Sequence, residues 1–308
     1  MDFEYQNMNK MKLRIFFFLV GLMFGASAFS QVVKETHRFA IKGKDTLYVD
    51  RIFDPAVAAS ENRPTMIYMY GGGWAFGNRG GDFRYLTDIG VQVVSIDYRK
   101  ALTRYGYSNV IGTMPDTMSY AIDIALQDLT DAIAFVLSNA KEWGVDTKKV
   151  MFSGSSAGAI TTLHAIYDIC NQGNYSKKFP ADFMPAGYIA YAGAIISEET
   201  ELKWSTKPCP MMFFHGSADM TVPFSKRNVN KLTVFGPEYI LGQLHEMGVA
   251  SWVYIEEGAD HVMSYKPFTG YNTEEIQTFV KKFVIQGLKL EMQTKEKNLV
   301  APSKLPGF

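Results

Sequence analysis

Lys149-Val150-Met151-Phe152, then Ser153, then Gly154-Ser155-Ser156-Ala157-Gly158, then an apolar stretch running to Asp168, is the segment whose reading decides the fold. The first four residues predict a short buried strand over Lys149–Phe152, and Ala157–Asp168 predicts a helix. Between them lies G-x-S-x-G, a sharp turn that lifts its central serine out of the backbone path. Small residues on either side let neighbouring chain pass close by. Ser156 is therefore the candidate nucleophile and Ser155 reads as a bystander. A pentapeptide of small residues can also simply cap a helix; its place between a strand and a helix argues for the turn.

The same alternation extends outward. Thr36–Ile41 and Asp45–Ile52 predict a hairpin around Gly43. Thr65–Tyr70 and Val91–Asp97 are short apolar runs bounded by turn residues, as buried strands should be. Ala121–Ala140 has apolar residues at helical spacings. Ala186–Ile196, Pro210–Phe214 and Ala250–Ile255 read as strands, and Lys226–Met247 as largely helical. Thr273–Leu288 closes the pattern as a helix with Thr273 at its N-cap. Strands alternating with helices predict an α/β fold with a mostly parallel central sheet, helices on both faces and no large cap domain. Ala101–Ser119 and Ser197–Lys207 fit no regular element and follow strand ends, the sheet edge where ligands bind in open α/β sheets.

A serine hydroxyl attacks poorly unless a base takes its proton and a further group orients that base. Phe213-Phe214-His215-Gly216-Ser217-Ala218-Asp219 puts Asp219 just past a strand, and Gly258-Ala259-Asp260-His261 puts His261 past the last one. Chain order Ser156, Asp219, His261 places all three at one sheet edge. Asp260 is the rival acid, but adjacent side chains diverge in a turn. His37 precedes the serine, His164 lies two turns down the helix, and His245 ends another. His215 is expected to order the loop that carries Asp219. Tyr70-Gly71-Gly72-Gly73-Trp74 directly follows a strand and exposes backbone N–H groups. Gly72, Gly73 and Ala157 are the expected donors to a developing oxyanion.

The chain has 308 residues, 31 Lys+Arg against 31 Asp+Glu, and 47% hydrophobic residues. Its apolar fraction supports a sizeable core, and zero formal charge offers no field to draw nucleic acid. Two cysteines and five histidines without CxxC or HExxH predict neither a metal site nor a cofactor. Lys10, Lys12 and Arg14 precede the apolar run Ile15–Phe24 and small residues up to Ser30. That pattern predicts a signal peptide over 1–30, a catalytic domain over 31–292 and a tail over 293–308. The run is short for a stable membrane anchor. A secreted or periplasmic protein follows, in which Cys170 and Cys209 either pair or remain separate buried thiols.

These motifs resemble the α/β-hydrolase superfamily, and within it the esterases and lipases of the hormone-sensitive-lipase and carboxylesterase type. The residues that carry the resemblance are YGGGW at 70–74, DYR at 97–99, GSSAGA at 154–159, HGSADMTVP at 215–223 and GADH at 258–261. It implies a serine carboxylesterase with Ser156, Asp219 and His261 as nucleophile, acid and base. A small-molecule or glycan-linked ester, such as an acetyl or feruloyl ester of a carbohydrate, is the expected substrate. A prolyl-oligopeptidase-like serine peptidase and a non-catalytic binding protein on the same fold are the alternatives. Tyr70 stands where the family usually has His, which leaves open how the glycine loop is braced.

Overall fold

A computed structural model describes residues 32–57, 62–103, 115–266 and 270–297. The expected signal peptide over 1–30 lies outside them, as does the end of the tail from 298.

Strands β1 (Val33–Lys42) and β2 (Asp45–Phe53) form an antiparallel hairpin, and Gly43 at φ 62° makes its tight turn. β3 (Arg63–Met69), β4 (Gln92–Ile96), β5 (Val145–Ser155), β6 (Gly187–Tyr191), β8 (Met211–Gly216), β11 (Ser251–Glu257) and β12 (Glu291–Lys297) run parallel beside it. The sheet order is β1-β2-β4-β3-β5-β6-β8-β11-β12. β5, which leads into Ser156, is thus central, and the crossover logic of parallel sheets sends β3, β5, β8 and β11 out at one edge.

Both faces of the sheet are covered. Helix α1 (Pro115–Ser138) buries Ala121, Ala125, Leu129, Ala132 and Val136, a stripe spaced three or four residues apart. Helix α2 (Ala157–Cys170) is buried on nearly every side. Phe152, Phe213, Ile67 and Met69 have no exposed surface at all. Each such side chain contributes about 1.5–3 kcal/mol of burial, and Phe152→Ala would cost about 3–5 kcal/mol.

Several expectations need correction. The segment 226–247 is not largely helical: β9 (Arg227–Val229) and β10 (Leu232–Phe235) precede helix α3 (Pro237–Met247). Asn230 at φ 55° turns the chain between the two strands, and Pro237, lacking an N–H, starts the helix. Ala186–Ile196 divides into β6 and β7 (Ile195–Ser197) around Ala192 at φ 54°. β7, β10 and β9 form a separate three-stranded antiparallel sheet. The boundary at 292 falls inside β12, an edge strand paired with β11 whose charged residues face solvent and hide its strand character. Helix α4 (Thr273–Thr278) continues as a π-helix over Phe279–Ile285, and Asn272, not Thr273, occupies its N-cap. Cys170 and Cys209 are buried and unpaired, and burial raises the Cys170 thiol to about 11.

Candidate active site

Ser156 is the one residue between β5 and α2, at φ 49° and ψ −119°. A non-glycine residue there is strained by roughly 1–3 kcal/mol, and it persists only where its surroundings hold it. Here Ser156 N donates to Tyr191 O at 2.8 Å and Ile160 N donates to Ser156 O at 2.9 Å. The flanking glycines are demanded by backbone contact. A Cβ on Gly154 would lie 2.5 Å from Gly158 C, and one on Gly158 would lie 2.1 Å from Met69 O.

The three side chains named from chain order come together. Ser156 Oγ donates to His261 Nε2 at 2.9 Å, and His261 Nδ1 donates to Asp219 Oδ2 at 2.7 Å. A carboxylate only accepts, so the imidazole hydrogen is on Nδ1 and Nε2 is free to accept from the serine. Asp219 and His261 are 3% and 7% exposed, so the chain of hydrogen bonds reaches solvent chiefly at its serine end. Asp219 Oδ1 accepts from Thr221 N at 2.9 Å and Val222 N at 2.8 Å, which fixes the carboxylate plane. Asp260 is turned away: its Oδ1 accepts from Val262 N at 3.1 Å and caps the short 3-10 helix His261–Ser264.

The loop Gly71–Trp74 lies against the nucleophile, since a Cβ on Gly71 would stand 3.1 Å from Ser156 Cβ. Gly72 and Gly73 have φ of 113° and 59°, in the region that favours glycine. Ala157 opens α2, whose first N–H groups have no partner within the helix. The brace that Tyr70 leaves in question comes from other residues. Tyr98 Oη donates toward the carbonyls of Tyr70 and Gly71 at 3.2 Å each, and the two tyrosine rings pack at a tilt of 31° with centroids 4.5 Å apart. Trp74 Nε1 donates to Thr161 Oγ1 in α2 at 3.0 Å. Beyond the loop, Arg79 contacts both Asp50 and Asp97. Burial alone would raise the Asp50 carboxyl, but hydrogen bonds from Thr36, Arg79 and Lys34 outweigh it and hold it low.

Sequence reasoning passed over Trp74, Thr161 and Tyr98. Tyr98 had a signal in the DYR stretch, whereas the Trp74–Thr161 pair joins residues 87 apart and had none. Ser155 is no bystander: its hydroxyl donates to Ser264 O. Of the two irregular stretches, 104–114 lie outside the described residues and 115–119 belong to α1. The other is pinned where Trp204 Nε1 donates to Gln243 Oε1 at 2.8 Å.

A strained serine after a central strand, an acid and a histidine from later strand ends, and a glycine loop beside them define the class by its fold: the chain has the α/β-hydrolase fold. Comparisons agree on that class. The BD-FAE family model matches residues 51–171. Lipase 1 of Geotrichum candidum is 29% identical over 143 residues, covering 44% of this chain and 24% of its own. The fumonisin B1 esterase of Sphingopyxis macrogoltabida is 30% identical over 131 residues, covering 41% and 24%. The chain thus spans about a quarter of the length of the curated relatives it matches. The apo form of Thermogutta terrifontis esterase 2 shares the fold with a TM-score of 0.58 and 20% identity, over 83% of this chain and 96% of that one.

Proposed function

We propose that the protein is an exported serine carboxylesterase that works through an acyl-enzyme. The observation that carries this is the continuous hydrogen-bonded line from Ser156 Oγ through His261 to Asp219, at 2.9 and 2.7 Å. His261 Nε2 takes the hydroxyl proton as Ser156 Oγ attacks the ester carbonyl, and Asp219 stabilises the imidazolium that forms. The oxyanion develops toward the N–H groups of Gly72, Gly73 and Ala157. Collapse expels the alcohol, which takes the proton from His261. Water then enters by the same route and releases the acid. The names of the relatives, all esterases and lipases, favour an ester over a peptide.

The ester we propose joins a small acyl group to a carbohydrate. Exposed Tyr265 offers a ring face on which a sugar could stack. Phe76 packs on Gly72 of the glycine loop, and Tyr265 follows the turn that carries His261. The basic, apolar and small-residue order of residues 10–30 supports export. Among the described residues no helix is long and apolar enough to cross a membrane.

The test is hydrolysis of p-nitrophenyl acetate, butyrate and octanoate beside the Ser156→Ala variant, followed by acetate release from acetylated xylan. Acetate-preferring turnover that falls at least about 10³-fold in the variant is expected. Equal rates in both proteins would end the proposal, and a preference for octanoate would end its small-acyl part.

A further inference from the structure

Ser155, one residue before the nucleophile, is 6% exposed, and its hydroxyl contacts two separate parts of the molecule. It donates to the backbone carbonyl of Ser264. It also hydrogen-bonds the hydroxyl of Tyr68, a buried residue of β3. Ser264 is the last residue of the 3-10 helix that begins with His261, and a carbonyl at a helix end has no partner within the helix. Ser155 supplies that partner. The other end of the same turn is held by Asp260, which accepts from Val262 N at 3.1 Å.

Two neighbouring residues of the elbow therefore engage two ends of one short turn. Ser156 Oγ meets His261 Nε2 at 2.9 Å, and Ser155 Oγ meets Ser264 O. The imidazole itself is held at Nε2 by Ser156 and at Nδ1 by Asp219, but neither bond fixes the backbone of the turn that carries it. The Ser155 contact, three residues further on, ties that backbone to the elbow. Because Ser264 O accepts the Ser155 hydrogen, the Tyr68 hydroxyl can donate in turn to Ser155 Oγ, and the line continues into the central sheet. From this arrangement we infer that Ser155 is a positioning residue for the base: it docks the His261 turn onto the elbow and sets the distance over which the serine proton passes. The inference rests on the serine-hydrolase reading of Ser156 and His261. A displacement of about 1 Å at such a contact can slow chemistry by about 10²-fold.

The test uses the rate of Ser156 labelling by a fluorophosphonate together with steady-state ester hydrolysis, in the wild-type chain and in the Ser155→Ala and Tyr68→Phe variants. Ser155→Ala is expected to lower kcat and the labelling rate by the same factor, about 10- to 100-fold, with KM changed less than about threefold. Tyr68→Phe leaves the Ser264 contact in place and is expected to cost less than about fivefold in kcat. A purely structural role would instead lower the melting temperature while leaving the folded enzyme's kcat intact. If wild type is labelled and Ser155→Ala is labelled within about twofold of it, this inference is wrong and the serine-hydrolase reading stands. If wild type is not labelled at all, that reading fails and takes the inference with it.

Discussion

His215 Nε2 stands 3.6 Å from Asp219 Oδ2 and donates its hydrogen to Val222 O at 2.8 Å. A carbonyl can only accept, so the neutral ring carries hydrogen on Nε2, and its Nδ1 has no hydrogen-bond partner among the described residues. Burial pushes the ring toward the neutral form against the pull of the Asp219 charge. The neutral His215 ring thus staples the loop that carries Asp219 without competing as a cation with His261.

His215→Leu removes the staple and leaves Val222 O without its donor. Unfolding in urea should show a loss of about 1–3 kcal/mol, and kcat should fall by roughly tenfold as the carboxylate loosens. Unchanged urea midpoint and kcat together would remove His215 from the acid loop's support.

Asp219 and Asp260 make contrasting predictions. Asp219→Asn retains shape but replaces an acceptor-only group, so kcat should drop about 10⁴-fold. Asp260→Asn keeps an oxygen for Val262 N, and its kcat should stay within about threefold of wild type. The two variants assayed side by side on p-nitrophenyl acetate check this, and a reversed order would reassign the acid.

Tyr98→Phe removes the hydroxyl that reaches Tyr70 O and Gly71 O. The ring contact with Tyr70 survives, so stability should change by only about 1 kcal/mol. The glycine loop loses its tie, and kcat should fall about tenfold with KM little altered. A KM effect without a kcat effect would place Tyr98 in substrate binding instead.

His164 gives a pH dependence. Its Nε2 accepts from Ile196 N at 3.1 Å and so must be unprotonated, and burial lowers its pKa from 6.5 to about 4. The unfolded chain takes up a proton near pH 6.5 and the native protein only near 4. This contribution is thus full above about pH 6.5 and is lost as pH falls toward 4. The residue is only partly buried, which limits the loss to on the order of 2 kcal/mol. His164→Gln offers an amide oxygen to the same N–H, and its urea midpoint should vary less between pH 7.5 and 5 than that of wild type.

Order along the chain was enough to find the elbow, the acid and the base as candidates, because each lies just past an apolar strand and parallel strands deliver their ends to one edge. Local pattern was also enough for the hairpin and for most buried strands, where a run of apolar residues has no other place to go. It failed over 226–247, where the strands on either side of Asn230 are only three and four residues long and find their partners in a second sheet. It failed again at β12, whose exposed charges follow no apolar period although its backbone is bonded to β11.

What the sequence by itself determined was therefore the class of fold and the candidate chemical groups. Both depend on residue type and on neighbours a few positions apart. Only the tertiary structure decided how those groups are held. The ties of Ser155 to Ser264, Trp74 to Thr161, Tyr98 to the glycine loop and Arg79 to Asp50 and Asp97 join residues far apart in the chain. Such partners have no spacing rule to betray them. They are chosen by which backbone and side-chain groups the packed sheet leaves buried and in need of a hydrogen bond.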